Sequence, residues 1–214
     1  MIYLDLLVNK PLYCAIIAVA LISGVAYYLI SIEKAEKFKL KAIIFLLSGL
    51  FSVILSLSVC ALVSLIFSGK KAGYRSVFSI FYAFISFPFF TFILQKSAKL
   101  KLDFSGYVSP LLLSITIARI ACMTEGCCNG KIYAAYIEAG ITLSLFIYNQ
   151  IKKDLSFSTL YAIYPAWRFI AEFFKETYDV EKLGILTLMQ YVATVAVVFA
   201  IIVITLPKRR DYEK

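Results

Sequence analysis

The sequence predicts an all-α integral membrane protein with about seven transmembrane helices. Two observations indicate this fold class. Hydrophobic residues make up 62% of the 214-residue chain and charged residues only 16%, whereas a soluble domain carries about a quarter charged residues. The charges also lie in short clusters between apolar stretches of roughly 20 residues, the length that crosses a hydrocarbon core. No stretch resembles a linker to a soluble domain, so residues 1–214 are predicted to form a single transmembrane domain.

Seven apolar stretches are predicted to span the membrane. The first is long enough to cross it and is preceded by only one lysine, Lys10, so we interpret it as a retained helix and not as a cleaved signal peptide. The fourth is the least regular, because Pro110 opens it and Arg119 interrupts it. The predicted spans cover residues 11–30, 42–67, 77–94, 108–123, 132–151, 155–174 and 186–206.

The distribution of lysine and arginine predicts the orientation of the chain. Loops on the cytoplasmic side of membrane proteins are enriched in these residues. Thirteen of them flank one side of the predicted spans and seven flank the other. The N-terminus is therefore predicted outside and the C-terminus in the cytoplasm. The net charge of +9 has the same explanation, since lysines flank membrane helices, and no nucleic-acid partner is expected.

Few ionisable residues lie inside the predicted spans. Such residues cost several kcal/mol in hydrocarbon and usually mark function or a buried pair. They are Arg119, Glu138, Arg168 and Glu172, with Gln190 as an uncharged companion. The residues in spans four to seven lie within roughly 10 Å of the predicted outer face, at about 1.5 Å of rise per residue. Four helices are therefore predicted to contribute polar groups to one layer.

The sixth span has a polar face with two interpretations. Tyr161, Tyr164, Arg168 and Glu172 follow spacings of three, four and four, which places them along one side of a helix. They can be structural, with an i,i+4 ion pair and aromatic residues at the interface. They can also be functional, because Arg119 lies at matching depth and the planar fork of arginine suits a lipid phosphate.

The five cysteines do not predict a metal site or a cofactor. Cys14 and Cys60 lie in apolar helices and are interpreted as packing residues. Cys122, Cys127 and Cys128 leave three interpretations open: a soft metal site, redox chemistry, or small residues packed in a tight turn. Packing is favoured, because adjacent cysteines make poor joint ligands and the chain has no histidine to complete a site.

One segment resembles the signature of a known family. Residues 119–130 read Arg-Ile-Ala-Cys-Met-Thr-Glu-Gly-Cys-Cys-Asn-Gly, which resembles the signature of the prolipoprotein diacylglyceryl transferase family. Residues 164–175, Tyr-Pro-Ala-Trp-Arg-Phe-Ile-Ala-Glu-Phe-Phe-Lys, and 186–190, Leu-Thr-Leu-Met-Gln, are similar to two further elements of that family. Glu138 falls where the family has the glutamate of a Tyr-Glu pair. The resemblance covers about residues 70–206.

The resemblance implies a reaction on lipid. A diacylglyceryl group would pass from phosphatidylglycerol, or another anionic phospholipid, to a cysteine thiol of a lipobox-containing precursor protein, and glycerol phosphate would leave. Arg119 and Arg168 would bind the phosphate and Glu172 would orient Arg168. The implied location is the bacterial inner membrane, as a multi-pass protein. The implied substrate-binding residues are Glu125, Gly126, Asn129, Gly130, Glu138, Tyr164 and Gln190.

The chain also differs from the family. It has no histidine, and residues 73–79 read Gly-Tyr-Arg-Ser-Val-Phe-Ser where the family has a His-Gly-Gly-type motif. Tyr74, Glu125 or water are the candidates for the missing base. Cys122 stands where the family has asparagine and Ala135 where it has glutamine. These differences leave an alternative: an inactive or altered-substrate paralogue that binds anionic phospholipid. A small transporter is a third hypothesis, which is disfavoured because transporter sites lie near the midplane.

Overall fold

The computed structural model describes residues 11–31, 38–67, 80–125, 132–173, 182–183 and 185–205. A 3-10 turn at Ser105–Tyr107 precedes the fourth helix, and two short antiparallel strands, β1 (Lys182–Leu183) and β2 (Leu186–Thr187), precede the last. The α-helices within these ranges are α1 (Pro11–Ser31), α2 (Phe38–Phe67), α3 (Ile80–Ser97), α4 (Val108–Glu125), α5 (Ile132–Lys152), α6 (Phe157–Glu172) and α7 (Leu188–Thr205).

The helices confirm the predicted all-α membrane class. Each of them overlaps one predicted span. Within the described residues, four stretches are long and apolar enough to cross a membrane: 11–31, 39–60, 80–97 and 105–124, the last of which includes the 3-10 turn before α4. The apolar part of α7, Leu188–Ile202, is shorter. Several helix ends differ from the predicted span boundaries, and α2 begins at Phe38 and not at 42. Helix α3 ends at Ser97 and not at 94, and α7 begins at Leu188 because residues 186 and 187 pair in a strand.

Neighbouring helices run antiparallel, which gives the bundle two distinct ends. Along α4 and α5, Ser109 contacts Asn149, Thr116 contacts Thr142, and Arg119 contacts Glu138, so residue numbers rise along one helix as they fall along the other. Helix α1 packs on α4 and α2, α2 on α3, and α6 on α7. We call the end that holds Arg119 and Glu138 the arginine end, and the end that holds Ser109 and Asn149 the opposite end.

An aromatic cluster fills the core toward the opposite end. Phe45 of α2 lies 5.4 Å from Phe87 of α3 and 5.8 Å from Tyr107, measured between ring centroids. Tyr28 of α1 stacks on Tyr107 at 5.4 Å. All four side chains are buried. Rings at these separations add about 0.5–1.5 kcal/mol per pair beyond their burial, so this cluster, defined by Tyr28, Phe45, Phe87 and Tyr107, ties α1, α2 and α3 to the start of α4.

The loop between α3 and α4 is held at the opposite end by hydrogen bonds. Gln95 donates to the backbone oxygen of Asp103 at 2.9 Å and accepts from its backbone nitrogen at 3.2 Å. Partial burial raises the pKa of the Asp103 carboxyl, but hydrogen bonds from Ser105 and the nearby Lys41 ammonium outweigh that effect and hold the pKa below its usual value. The hydrogen bonds that Gln95 makes to this loop explain why its polar side chain is fully buried.

Gly24 allows close packing between α1 and α4. A Cβ atom there would meet the Ser114 hydroxyl, the Phe45 ring at 3.0 Å and the backbone oxygen of Pro110 at 3.1 Å. Backbone cannot rotate away as a side chain can, so we expect Gly24→Ala to lower the free energy of unfolding by about 1–3 kcal/mol. Gly140→Ala is the matched control, because nothing lies within 4 Å of its added carbon. Equal free energies of unfolding for Gly24→Ala and Gly140→Ala in detergent would contradict this packing.

Pro88 and Tyr161 form a compensating pair across α3 and α6. Proline has no backbone N–H, so Pro88 cannot donate to the carbonyl of Phe84, four residues earlier in the helix. The Tyr161 hydroxyl donates to that carbonyl from α6. The rings of Phe84 and Tyr161 stack beside this bond, with their centroids 4.1 Å apart. Tyr161 therefore satisfies the backbone group that Pro88 leaves without a helical partner.

A double-mutant cycle tests that pairing. Tyr161→Phe removes the hydroxyl and leaves a buried carbonyl without this donor, so we expect a loss of about 1–3 kcal/mol in unfolding free energy. In a Pro88→Ala background the backbone N–H of residue 88 can reach the Phe84 carbonyl, so Tyr161→Phe should cost much less. Denaturant unfolding in detergent of the wild type, the two single variants and the double variant gives the coupling free energy between residues 88 and 161. An equal loss in both backgrounds would show that the two residues act independently.

Candidate functional site

Helix α6 places the candidate site residues on one buried face. The helix begins after Ser156, whose hydroxyl accepts a hydrogen bond from the backbone nitrogen of Thr159 at 3.0 Å and so caps the N-terminus. Tyr161, Tyr164, Arg168 and Glu172 are all buried. The predicted polar face of this helix is therefore confirmed, and it points into the bundle, not toward the surface.

Glu138 of α5 is the centre of the site. It is 1% exposed and its two carboxylate oxygens engage both arginines. Oε1 pairs with Nη2 of Arg119 and accepts from the Tyr164 hydroxyl at 2.5 Å. Oε2 accepts from Nη1 of Arg168 at 2.9 Å. One carboxylate thus joins α4, α5 and α6, and the predicted polar layer is a network in direct contact.

Arg168 has two further neighbours. Its Nη2 atom lies 3.3 Å from Oε1 of Glu172, one turn later on α6. The pair predicted from the i,i+4 spacing is confirmed. The guanidinium carbon also lies 5.8 Å from the ring centroid of Phe81 on α3, within the range of a cation–π interaction. Arg168 is therefore held between two carboxylates and an aromatic ring.

Arg119 is held mainly by α5 and α6. Its Nη2 atom donates to the Tyr164 hydroxyl at 2.6 Å, and its Nη1 atom lies 3.6 Å from Sγ of Cys122 on the same helix. Cys122 is buried, consistent with the packing interpretation. The Nε atoms of Arg119 and Arg168 have no hydrogen-bond partner among the described residues. Each guanidinium therefore keeps a buried donor that no described residue uses.

A capping box extends the network to α7. The Thr187 hydroxyl accepts from the backbone nitrogen of Gln190 at 3.1 Å, and the Gln190 amide oxygen accepts from the backbone nitrogen of Thr187 at 2.9 Å. This reciprocal pair satisfies two orphan donors at the start of the helix. The Thr187 hydroxyl also lies 3.5 Å from Oε2 of Glu172. Gln190 thus joins the predicted layer through Thr187, and among the described residues its side chain bonds to the backbone of Thr187 and of Phe169 and to neither arginine.

The structure brings together most of the predicted site residues. We call the group that contains them, together with Thr187, the ionic cluster. Glu125 ends α4, and its side chain lies outside the described residues, as do Gly126, Asn129 and Gly130. Cys127 and Cys128 are outside them too. The ionic cluster comprises Arg119, Glu138, Tyr164, Arg168, Glu172, Thr187 and Gln190.

Two members of the site's surroundings were missed from the sequence. Thr187 had a recognisable signal, because a threonine three residues before glutamine at a helix start is typical of a capping box. Phe81 had none, since its contact with Arg168 depends on how α3 and α6 pack. In the part of the chain that the structure describes, no three Cys, Asp or Glu side chains gather as metal ligands do.

Comparisons with known proteins do not assign this chain to a family. No protein-family model matches the chain, and neither a curated protein nor a solved structure is significantly similar to it.

The charge balance limits what the ionic cluster can do as it stands. Its two arginines and two glutamates carry no net charge. An entering anion could accept from the two Nε donors that no described residue uses, and it would gain further donors if a glutamate side chain moved away from an arginine. The arrangement suits a ligand with several acceptor oxygens, because guanidinium groups bind phosphate through parallel N–H bonds. Buried ion pairs also hold helices together, so the same contacts have a structural role.

Proposed function

We propose that this protein is a membrane transferase of the diacylglyceryl transferase type, which binds an anionic phospholipid at the ionic cluster. The observation that carries the proposal is the pair of arginines on different helices. Arg119 and Arg168 share one carboxylate of Glu138, and each has a buried Nε donor without a hydrogen-bond partner among the described residues. Both match positions of the family motifs quoted above, although the donor lipid and the acceptor are inferred from that resemblance alone.

The proposed reaction places the growing charge beside the arginines. A cysteine thiolate of the lipobox-containing precursor attacks the carbon of the diacylglyceryl group that carries the phosphate ester. A carbon–sulfur bond forms, the carbon–oxygen bond breaks, and its electron pair stays on the oxygen of the departing glycerol phosphate. The thiol proton is released to water. The phosphate gains negative charge in this step, so donors fixed around it stabilise the transition state more than the bound lipid.

Other residues of the cluster position the arginines. Glu138 fixes the distance between the two guanidinium groups, and Glu172 holds Arg168 from the next turn. Tyr164 donates to Glu138 and accepts from Arg119, so it fixes the carboxylate from the α6 side.

The topology proposed with this function has seven membrane crossings. The N-terminus lies outside, the C-terminus lies in the cytoplasm, and the arginine end faces outward in a bacterial inner membrane. Support comes from the excess of lysine and arginine on the predicted cytoplasmic side and from the helix that overlaps each predicted span. With this orientation, the ionic cluster lies near the depth of outer-leaflet phosphates.

A second candidate function is anionic lipid binding without catalysis. The specific observation in its favour is the absence of histidine from the whole chain, since the resembled family has one in a motif near the start of its third span. This protein would then keep the arginines for a headgroup and have no base for the thiol. It would bind phosphatidylglycerol and release no glycerol phosphate.

A transfer assay separates the two candidates. Purified protein is incubated with phosphatidylglycerol vesicles and a lipobox peptide, and mass spectrometry follows the peptide and the lipid products. The transferase proposal expects a peptide heavier by one diacylglyceryl group and an equal amount of glycerol phosphate. A lipobox peptide with serine in place of the cysteine should remain unmodified. Intact phosphatidylglycerol and unmodified peptide, with lipid still bound to the protein, would contradict the transferase and support the lipid-binding protein.

A further inference from the structure

Four exposed lysines lie at the opposite end of the bundle, where α3 and α5 end. The loops that follow these two helices adjoin, because the ring of Phe104 before α4 lies 5.0 Å from the ring of Phe157 at the start of α6, measured between centroids. The lysines therefore belong to one surface. We call them the lysine patch, which comprises Lys99, Lys101, Lys152 and Lys153.

Lys99 has a left-handed backbone conformation directly after α3, with a φ angle of 52°. Its backbone nitrogen donates to the carbonyl of Lys96 at 3.1 Å. The next nitrogen, that of Leu100, donates to the carbonyl of Gln95 at 2.9 Å. These two bonds form a Schellman motif, in which glycine is the usual residue at the left-handed position. Lysine there costs free energy, because its Cβ atom crowds the following carbonyl oxygen.

Lys153 repeats this arrangement after α5. Its φ angle is 55°, and its backbone nitrogen donates to the carbonyl of Asn149 at 3.0 Å, which is the single bond of the αL motif. In the described parts of the chain, Lys99 and Lys153 are the residues other than glycine with positive φ. Two lysines at one end of the bundle thus occupy positions that suit glycine better.

The helix dipole does not explain both lysines. A cation near a helix C-terminus is stabilised by the dipole, but α3 already has Lys96 in its last turn and α5 has Lys152. Both of these residues have helical backbone. A second lysine in the left-handed position of each helix therefore adds backbone strain where the dipole is already balanced, which indicates a partner outside the bundle.

The nearby carboxylates are occupied by other groups. Asp103 accepts hydrogen bonds from Ser105 and lies 3.6 Å from the ammonium group of Lys41. Asp154 accepts from the Tyr148 hydroxyl at 3.3 Å. Within the described residues, no carboxylate forms an ion pair with the lysine patch. The patch therefore presents four positive charges to its surroundings.

Apolar side chains accompany the lysines. Leu102 follows Lys101 and is 48% exposed, and Ile151 precedes Lys152 and is 71% exposed. The patch also lies beside the ends of the stretches 80–97 and 105–124, which are long and apolar enough to cross a membrane. At that depth the apolar side chains can enter hydrocarbon while the ammonium groups stay among the phosphates. This combination favours a lipid surface over an acidic soluble protein.

We propose that the lysine patch binds the headgroups of anionic phospholipids in the leaflet at the opposite end of the bundle. The inference does not rest on the proposed function, because the ionic cluster lies at the other end and no reaction is involved. A lysine ammonium is a flexible point charge, so the patch recognises the negative charge of a phospholipid and not one particular headgroup. Lipid binding offsets the strain at Lys99 and Lys153 and stabilises the bundle.

Thermal unfolding in nanodiscs tests the role of charge. Phosphatidylcholine alone is compared with phosphatidylcholine containing about one-third phosphatidylserine. We expect phosphatidylserine to raise the unfolding midpoint of the wild type by about 4–8 °C, since each lysine is attracted to an anionic surface. Replacing all four patch lysines with glutamine should remove at least half of that rise, and replacing them with arginine should keep it. An undiminished rise in the glutamine variant would overturn the inference.

Glycine variants test the strain. In phosphatidylcholine alone, Lys99→Gly combined with Lys153→Gly should raise the midpoint by about 2–4 °C, because glycine adopts positive φ without crowding. The same variant should gain less than the wild type from phosphatidylserine. Lys101→Gly is the control, since it removes a charge where φ is not positive, and it should not raise the midpoint. A double variant no more stable than the wild type in phosphatidylcholine would contradict the proposed strain.

Two further outcomes would overturn the lipid surface. Arg119→Lys leaves the patch intact, so its rise with phosphatidylserine should equal that of the wild type. Loss of the rise in this variant would assign the lipid effect to the ionic cluster. A wild-type midpoint that does not respond to phosphatidylserine but rises with soluble polyglutamate would indicate an acidic protein partner. A protein that fails to modify a lipobox peptide but keeps the patch-dependent rise would lose the proposed transferase function and retain this inference.

Discussion

Replacing Glu138 with glutamine is expected to lower the free energy of unfolding by about 3–5 kcal/mol, the usual cost of removing one partner from a buried ion pair. The glutamine keeps the shape of the side chain, so the loss reports charge. Arg119 and Arg168 both pair with this carboxylate, and both are nearly fully buried. Without it, two guanidinium groups would lie close together with only Glu172 to balance them.

Denaturant unfolding in detergent measures that loss, with Asp154→Asn as the control. Asp154 lies in the exposed loop before α6 and accepts one exposed hydrogen bond, from Tyr148. Its replacement should change stability by less than about 0.5 kcal/mol. Glu172→Gln should lower the free energy of unfolding by an amount between these two values, because within the described residues Glu172 pairs with Arg168 and not with Arg119. A Glu138→Gln protein as stable as the wild type would mean that the arginines do not depend on this carboxylate.

Arg119→Ala and Arg168→Ala are each expected to abolish thioether formation on a lipobox peptide. Arginine-to-lysine variants give a sharper test, because they keep the charge that balances Glu138 and lose the planar fork. We expect Arg119→Lys and Arg168→Lys to lower the transfer rate by about 100-fold or more, the loss found when one preorganised donor to a developing charge is removed. Rates come from mass spectrometry of the peptide at several times.

Lys96→Gln is the control for those variants, because Lys96 lies at the opposite end of the bundle over the ring of Phe92. Its transfer rate should match the wild type. The unfolding free energy of every variant is measured in parallel, so that loss of fold is not read as loss of chemistry. Transfer at the wild-type rate in a stable Arg119→Lys or Arg168→Lys protein would exclude the proposed role of that arginine.

The depth of the polar residues was predictable from the sequence, but their partners were not. Depth follows from counting residues to a helix end, and Arg119, Glu138 and Arg168 do lie in one layer. The sharing of Glu138 between two arginines depends on the rotation of α4, α5 and α6 about their axes. The i,i+4 pair of Arg168 and Glu172 is local to one helix and was therefore predicted.

Contacts between distant helices explain the remaining differences. The compensation of Pro88 by Tyr161 joins residues 73 positions apart in α3 and α6, so no local pattern could indicate it. By contrast, the role of Gln190 was predictable, because threonine at 187 and glutamine at 190 have the spacing of a capping box.

A structure of the protein in nanodiscs of phosphatidylglycerol tests the central claim most directly. The claim is that the ionic cluster is the site of an anionic lipid headgroup. The account predicts a lipid phosphate within hydrogen-bond distance of Arg119 and Arg168. Both arginines still paired with Glu138, with no phosphate in contact and ordered lipid elsewhere on the protein, would contradict it.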